Sequence, residues 1–264
     1  MKLCFCTLGC PSWDLSEILS TAKDFGYDGV EIRGIASEIY APDIKAFTSK
    51  YMEQTMKKIT GMGLTIPMFT TGCLLHESYD FVKDAKEYMD LCVKTGTKYI
   101  RVLADTDPAP KGPIDYELVA LCLRELAAYG KERDVMPLVE TNGEFASSDN
   151  LLKLLAMADC ENIGVLWDIH HPYRYASEKP EETYGKLKSY IRHVHIKDSV
   201  VKGEKTVYTI PGEGDVPIKE CVALLKSGGY DGYLSLEWVK RWMPELTEPG
   251  IVFMNYIDYM KPLI

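Results

Sequence analysis

The sequence predicts an α/β protein built as a single (β/α)8 barrel, and three observations carry that expectation. Apolar, strand-like runs alternate with helix-patterned segments about eight times along 264 residues. Alternation of this kind argues for a parallel sheet, and eight units argue for a closed barrel. The last four apolar runs each end on an acidic or imidazole side chain: Glu140, Asp168, His195 and Glu237. The turn after the first run reads Leu8-Gly-Cys-Pro-Ser12 and lacks the glycine fingerprint of a doubly wound dinucleotide fold.

The elements follow in order. Residues 3–8 read as a strand and 15–25 as a helix, which Gly26-Tyr-Asp-Gly29 turns into the strand 30–33. A second helix is expected over 41–60, ended by Gly61-Met-Gly63 before a strand at 64–69. A third covers 78–94 and leads through Gly96 to the strand 99–103. In the fourth, Val119, Cys122, Leu123 and Leu126 fall at i, i+3, i+4, i+7, the stripe of a helix with one buried face. It stops at Gly130, before the strand ending at Glu140.

The fifth helix repeats that spacing with Leu151, Leu154, Leu155 and Ala158, and Ser147-Ser-Asp-Asn150 supplies its cap. The strand ending at Asp168 follows. A sixth helix near 181–190 leads to the strand ending at His195, and a seventh at 218–226 to the strand ending at Glu237. An amphipathic stretch at 251–260 closes the chain. One connection is long: residues 199–217, after the seventh strand, read as a hairpin turning at Gly203 followed by a tight loop. It lies on the rim where barrels keep their active sites, as a lid, a side wall or a plain surface excursion. No linker or low-complexity tract divides the chain, so 1–264 reads as one domain.

Composition narrows the function. Thirty-nine acidic against 30 basic residues give a formal charge of −9, and no cluster of Lys and Arg stands out, which disfavours a nucleic-acid partner. The apolar N-terminal run is too short for a signal peptide or a membrane span, so a cytoplasmic location and no membrane partner are expected. The eight cysteines are then reduced, and most sit in apolar runs, where a thiol packs as a small hydrophobe.

A charge that ends a buried strand is costly unless it is paired or bound to a metal. In a barrel the carboxyl ends of neighbouring strands converge on one mouth. Glu140, Asp168, His195 and Glu237 would end strands five to eight, and three carboxylates with one imidazole suit Mn2+, Mg2+, Co2+ or Zn2+. The competing reading is that some of them make salt bridges or cap the next helix. His193 shares a strand face with His195 one layer deeper and reads as a hydrogen-bonded core residue. Periodicity does not decide between His170 and His171 as the inward side chain, and His76 reads as a loop residue. Lys197 has the parity of His195 nearer the mouth, where it either contacts a substrate oxygen or is a solvated rim charge. Asp198 is placed to brace the loop that follows.

These fragments carry a resemblance. His193-Val-His-Ile-Lys-Asp198, Val139-Glu140, Trp167-Asp-Ile-His-His171, Ser235-Leu-Glu-Trp238 and the early Gly26-Tyr-Asp-Gly-Val-Glu-Ile-Arg33 resemble the sugar-phosphate isomerase/epimerase superfamily of xylose-isomerase-like TIM barrels. The resemblance implies one divalent metal ion held by Glu140, Asp168, His195 and Glu237, with the two glutamates moving protons. It implies substrate contact by His171, and by position it offers Arg101, Lys197 and Trp238, the last as an apolar wall with Trp13 or Phe69. The implied activity is a divalent-metal-dependent sugar isomerase or epimerase acting through a metal-stabilised enediolate on a small sugar or sugar-like substrate. A homo-oligomer is an open alternative to a monomer. Ketose epimerases carry an arginine six residues after the metal histidine, and Val201 stands at that position here.

Three other functions stay in view: an inosose-type dehydratase on the same site, a non-enzymatic sugar-binding barrel, and an endonuclease IV-like nuclease. The last would need more histidines than the five in the chain, and residues 200–215 contain none.

Overall fold

The computed structural model describes residues 1–264. In chain order the elements are β1 (Lys2–Cys6), α1 (Leu15–Phe25), β2 (Gly29–Glu31), α2 (Met52–Gly61), β3 (Met68–Leu74), α3 (Phe81–Thr95), β4 (Tyr99–Leu103), α4 (Tyr116–Lys131), β5 (Met136–Glu140), α5 (Ser148–Ala158) and β6 (Gly164–Asp168). Then come α6 (His170–Tyr175), α7 (Pro180–Leu187), β7 (Ile191–Ile196), β8 (Asp198–Lys202), β9 (Lys205–Thr209), α8 (Ile218–Ser227), β10 (Tyr233–Leu236) and α9 (Pro249–Met260). The chain forms two compact units, one from Met1–Pro67 with His195–Ile264, the other Met68–Val194.

In the first unit β1 runs parallel to both β2 and β10, with Cys6 opposite Glu31 and Phe5 opposite Leu236. Asp14 and Glu17 form a reciprocal capping box at the start of α1, and Gly26 ends that helix in the left-handed region (φ 77°). Phe253 of α9 stacks on Phe5 of β1 with ring centroids 4.1 Å apart. The buried Tyr27 hydroxyl donates to the Phe253 carbonyl oxygen at 2.7 Å. Thr7 pins the end of β2: its Oγ1 accepts from Arg33 N at 2.9 Å and donates to Gly34 O at 2.6 Å.

The long connection after β7 is the antiparallel hairpin β8–β9 expected at Gly203, which has φ 63°. Asp198 braces it. Its buried carboxylate accepts from the backbone N–H groups of Ser199 (2.8 Å), Gly212 (2.9 Å), Gly214 (2.9 Å) and Val216 (3.2 Å). A Cβ at Gly214 would stand 2.1 Å from Asp198 Oδ1, so the bare backbone is needed for this approach.

In the second unit β3, β4, β5 and β6 are parallel neighbours in that order. Met68, Leu138 and Leu166 pack together as a fully buried cluster against them. Ser147 caps α5 as expected, its side chain accepting from Asn150 N. The buried Glu178 accepts from Ser148 N at 2.7 Å and from Thr183 Oγ1 at 2.6 Å, joining the start of α5 to α7. Asp105, after β4, accepts from Glu144 N at 2.7 Å, and Gly143 (φ 58°) lets the two loops approach.

Two expected boundaries move. The helix expected over 41–60 begins only at Met52, because Ile44 and Thr48 are extended and 41–47 forms two separate turns. The third strand starts at Met68 rather than 64. Pro67 has no N–H to give a ladder, and Thr65 instead accepts from Val30 N at 2.9 Å. The short helix α6, directly after Asp168, was not expected.

Replacing Asp198 by Ala removes the acceptor of four backbone donors, those of Ser199 and Val216 buried. The expected loss is about 3 kcal/mol, read by chemical denaturation, with faster amide exchange across 199–216. A stability change within error would show that the hairpin is held by something else.

Candidate metal and catalytic centre

In the first unit, Glu31 ends β2, His195 and Lys197 lie on one face at the end of β7, and Glu237 follows β10. All four are buried. His195 Nε2 lies 3.1 and 3.2 Å from the two oxygens of Glu31, and its Nδ1 lies 3.4 Å from Glu237 Oε1. The other oxygen of Glu237, Oε2, pairs with Lys197 Nζ. Lys197 is therefore not the solvated rim charge that strand parity allows, being 2 % exposed. Burial, then the Glu31 and Glu237 carboxylates, push the Cys6 thiol well above its usual range. Burial and Glu31 do the same to Cys4. All eight cysteines are free thiols.

In the second unit, Glu140 ends β5 and Asp168 ends β6, both buried. Arg101 of β4 donates from Nη1 to Glu140 Oε2 and from Nη2 to Thr71 O, each at 2.7 Å. Asp168 Oδ1 accepts from His170 N at 2.9 Å. The Asp168 backbone is clasped by Thr141, whose Oγ1 accepts from its N–H at 2.9 Å and donates to its carbonyl at 3.0 Å. Both His170 and His171 are buried in α6. His171 Nδ1 stands 2.9 Å from Thr141 O, and its Nε2 stands 3.6 Å from Asp168 Oδ2. A carbonyl oxygen only accepts, so Nδ1 carries the proton and Nε2 is the atom left to face Asp168.

The remaining candidates are buried or bonded as follows. Trp238 is buried, its Nε1 donating to Thr247 O at 2.9 Å. Trp13 meets Phe253 edge-on and Phe69 meets Tyr88, so each has a packing partner of its own. His193 is fully buried, and His76 reaches Thr106 Oγ1 at 3.4 Å in its loop. The residue missed from sequence is Glu31. Its signal was the one used for the other four: an ionisable side chain ending an apolar strand, here Gly29-Val-Glu31.

Each unit thus buries two carboxylates of this group against one base: Glu31 and Glu237 against Lys197, Glu140 and Asp168 against Arg101. The other buried acids, Asp105, Glu178 and Asp198, accept from N–H or O–H groups in the loops they tie down. With neutral histidines each unit carries one buried negative charge in excess, which suits a cation.

A model of the xylose isomerase-like TIM barrel family matches residues 19–256, and the chain belongs to that family. Its fold is accordingly a single TIM barrel of the xylose-isomerase-like type. Over its whole length the chain is 28 % identical to fructoselysine 3-epimerase of Escherichia coli O157:H7, covering 98 % of that protein. It is 29 % identical to inosose dehydratase of Clostridium botulinum (strain Eklund 17B / Type B) over 106 residues, 34 % of this chain and 35 % of that one. Among solved structures it resembles the IOLI protein with a bound zinc atom, with a TM-score of 0.81 at 16 % identity over 100 % of this chain and 99 % of the other. No helix is long and apolar enough to cross a membrane.

Removing the guanidinium with Arg101→Met leaves Glu140 buried without that partner and is expected to cost about 3 kcal/mol in urea unfolding. The double variant R101M/E140M is expected to regain most of the loss. Equal stability of the single and double variants would count against the pair as drawn.

Proposed function

We propose that this protein is a divalent-metal-dependent epimerase or isomerase of a small sugar or sugar derivative, with Glu140, Asp168, His195 and Glu237 as the metal ligands. The observation that carries the reading is the excess of buried carboxylate over buried base in each unit. The donor set supports it: one unit buries Glu140 and Asp168 at the ends of β5 and β6, and the other buries His195 and Glu237. Carboxylate and imidazole donors in this ratio fit Mn2+, Mg2+, Co2+ or Zn2+. The full-length likeness to a sugar 3-epimerase supports the reaction class.

A bound divalent ion supplies Lewis-acid polarisation of the substrate carbonyl, which acidifies the neighbouring C–H. The proton work falls to the chain. Glu140 and Glu237 each have one oxygen, Oε2, held by a buried cation, so each is steadied in one orientation while Oε1 stays on the other side of the carboxyl group. One glutamate removes the proton next to the carbonyl and the other returns one, as general base and general acid. Return to the opposite face of the same carbon gives an epimer; return to the neighbouring carbon gives the isomer. His171, protonated at Nδ1, offers Nε2 to a substrate hydroxyl beside Asp168.

A second reading is a dehydratase, in which the same enolate expels a hydroxyl from the next carbon. The likeness to inosose dehydratase over a third of the chain favours keeping it in the test.

The decisive measurement is proton exchange in deuterated water. The protein, loaded in turn with Mn2+, Mg2+, Co2+ and Zn2+, is screened against ketoses, inosose and hydroxypyruvate. Deuterium at the carbon next to the carbonyl, with an epimer, isomer or dehydrated product, is the expected result. E140Q and E237Q are each expected to lower turnover by about 100- to 10,000-fold. Elemental analysis is expected to give about one ion per chain. Chelation is expected to lower the melting temperature, because an ion that binds only the folded state stabilises it. A reloaded protein that retains no ion would end the proposal.

A further inference from the structure

We infer that Glu31 is a positioning residue. It fixes the proton of His195 on Nε2 and so presents Nδ1 as the metal-binding atom, an inference that rests on the metal-site reading above.

The geometry has one economical explanation. Both oxygens of Glu31 are within 3.2 Å of His195 Nε2, and both residues are fully buried. A carboxylate only accepts, so Nε2 carries the hydrogen. In a neutral imidazole Nδ1 is then a bare acceptor. It nevertheless lies 3.4 Å from Glu237 Oε1, another acceptor. That approach suits two ligands of one cation, and a proton held between Nδ1 and Oε1 is the alternative that the tautomer measurement below decides.

Glu31 itself has little freedom. Its strand is three residues long and registered on β1, with Cys6 opposite Glu31. Directly beyond it, Thr7 holds the backbone at Arg33 and Gly34. The strand therefore aims the carboxylate at one ring nitrogen. A carboxylate behind a ligating imidazole fixes the ring's tautomer and orientation and raises its basicity.

The test has two independent readouts. Long-range 1H–15N correlation spectra of the full-length protein, with and without Zn2+, report which nitrogen of His195 is protonated. Competition with a chromophoric chelator reports Zn2+ affinity in wild type, E31Q and E31D, with folding checked by circular dichroism. The expected result is a proton on Nε2 in wild type and Zn2+ affinity lowered by about 10- to 100-fold in E31Q. E31Q is also expected to populate the Nδ1–H form. A proton on Nδ1 in wild type, or unchanged affinity and tautomer in a folded E31Q, overturns the inference. Should E31Q not fold, the wild-type spectrum and E31D decide by the same criteria. A wild-type protein that binds no Zn2+, Mn2+, Mg2+ or Co2+ ends the metal-site reading instead, and the tautomer measurement still decides the role of Glu31.

Discussion

The structure depends on how buried carboxylate charge is neutralised. Seven acidic side chains are buried, and just two bases, Arg101 and Lys197, are buried with them. Taking a carboxylate out of water costs several kcal/mol unless something replaces the water. The chain answers this in two ways, and the division between them separates framework from site.

The framework acids are answered by hydrogen-bond donors. Asp198 gathers four backbone N–H groups from its own loop, Asp105 takes the N–H of Glu144, and Glu178 takes the N–H of Ser148 and the hydroxyl of Thr183. Each ties loops or helix starts at the carboxyl ends of strands, the side where barrel enzymes carry their chemistry. They tie long connections down without adding apolar surface.

The site acids are answered by cations and by each other's neighbours. Arg101 and Lys197 take one oxygen of Glu140 and Glu237, and Glu31 stands behind His195. The cations reached by Glu140 and Glu237 are of different kinds. Arginine is a fixed, planar donor that also grips Thr71 O, while lysine is a single mobile ammonium. The two glutamates are therefore alike in position and unlike in restraint, a difference suited to one group that takes a proton and another that gives it.

The order of strands and helices was legible in the sequence, because buried faces impose periods of two and 3.6 that single residues announce. Ser147, Gly26 and Gly203 marked their cap and turns correctly for the same local reason. Local signals failed where a distant partner decided. Thr65 makes only an isolated parallel bridge to Gly29 and the regular strand starts at Met68, and the segment before Met52 breaks into turns whose need was not visible in its own pattern. The ends of the strands named Glu140, Asp168, His195 and Glu237 as candidates. Which cation each glutamate meets, which nitrogen of His195 and His171 is committed, and the presence of Glu31 behind the imidazole were settled by tertiary structure alone. Those facts join residues far apart in the chain, Glu31 and His195 above all, and side-chain hydrogen bonding has no period along a sequence.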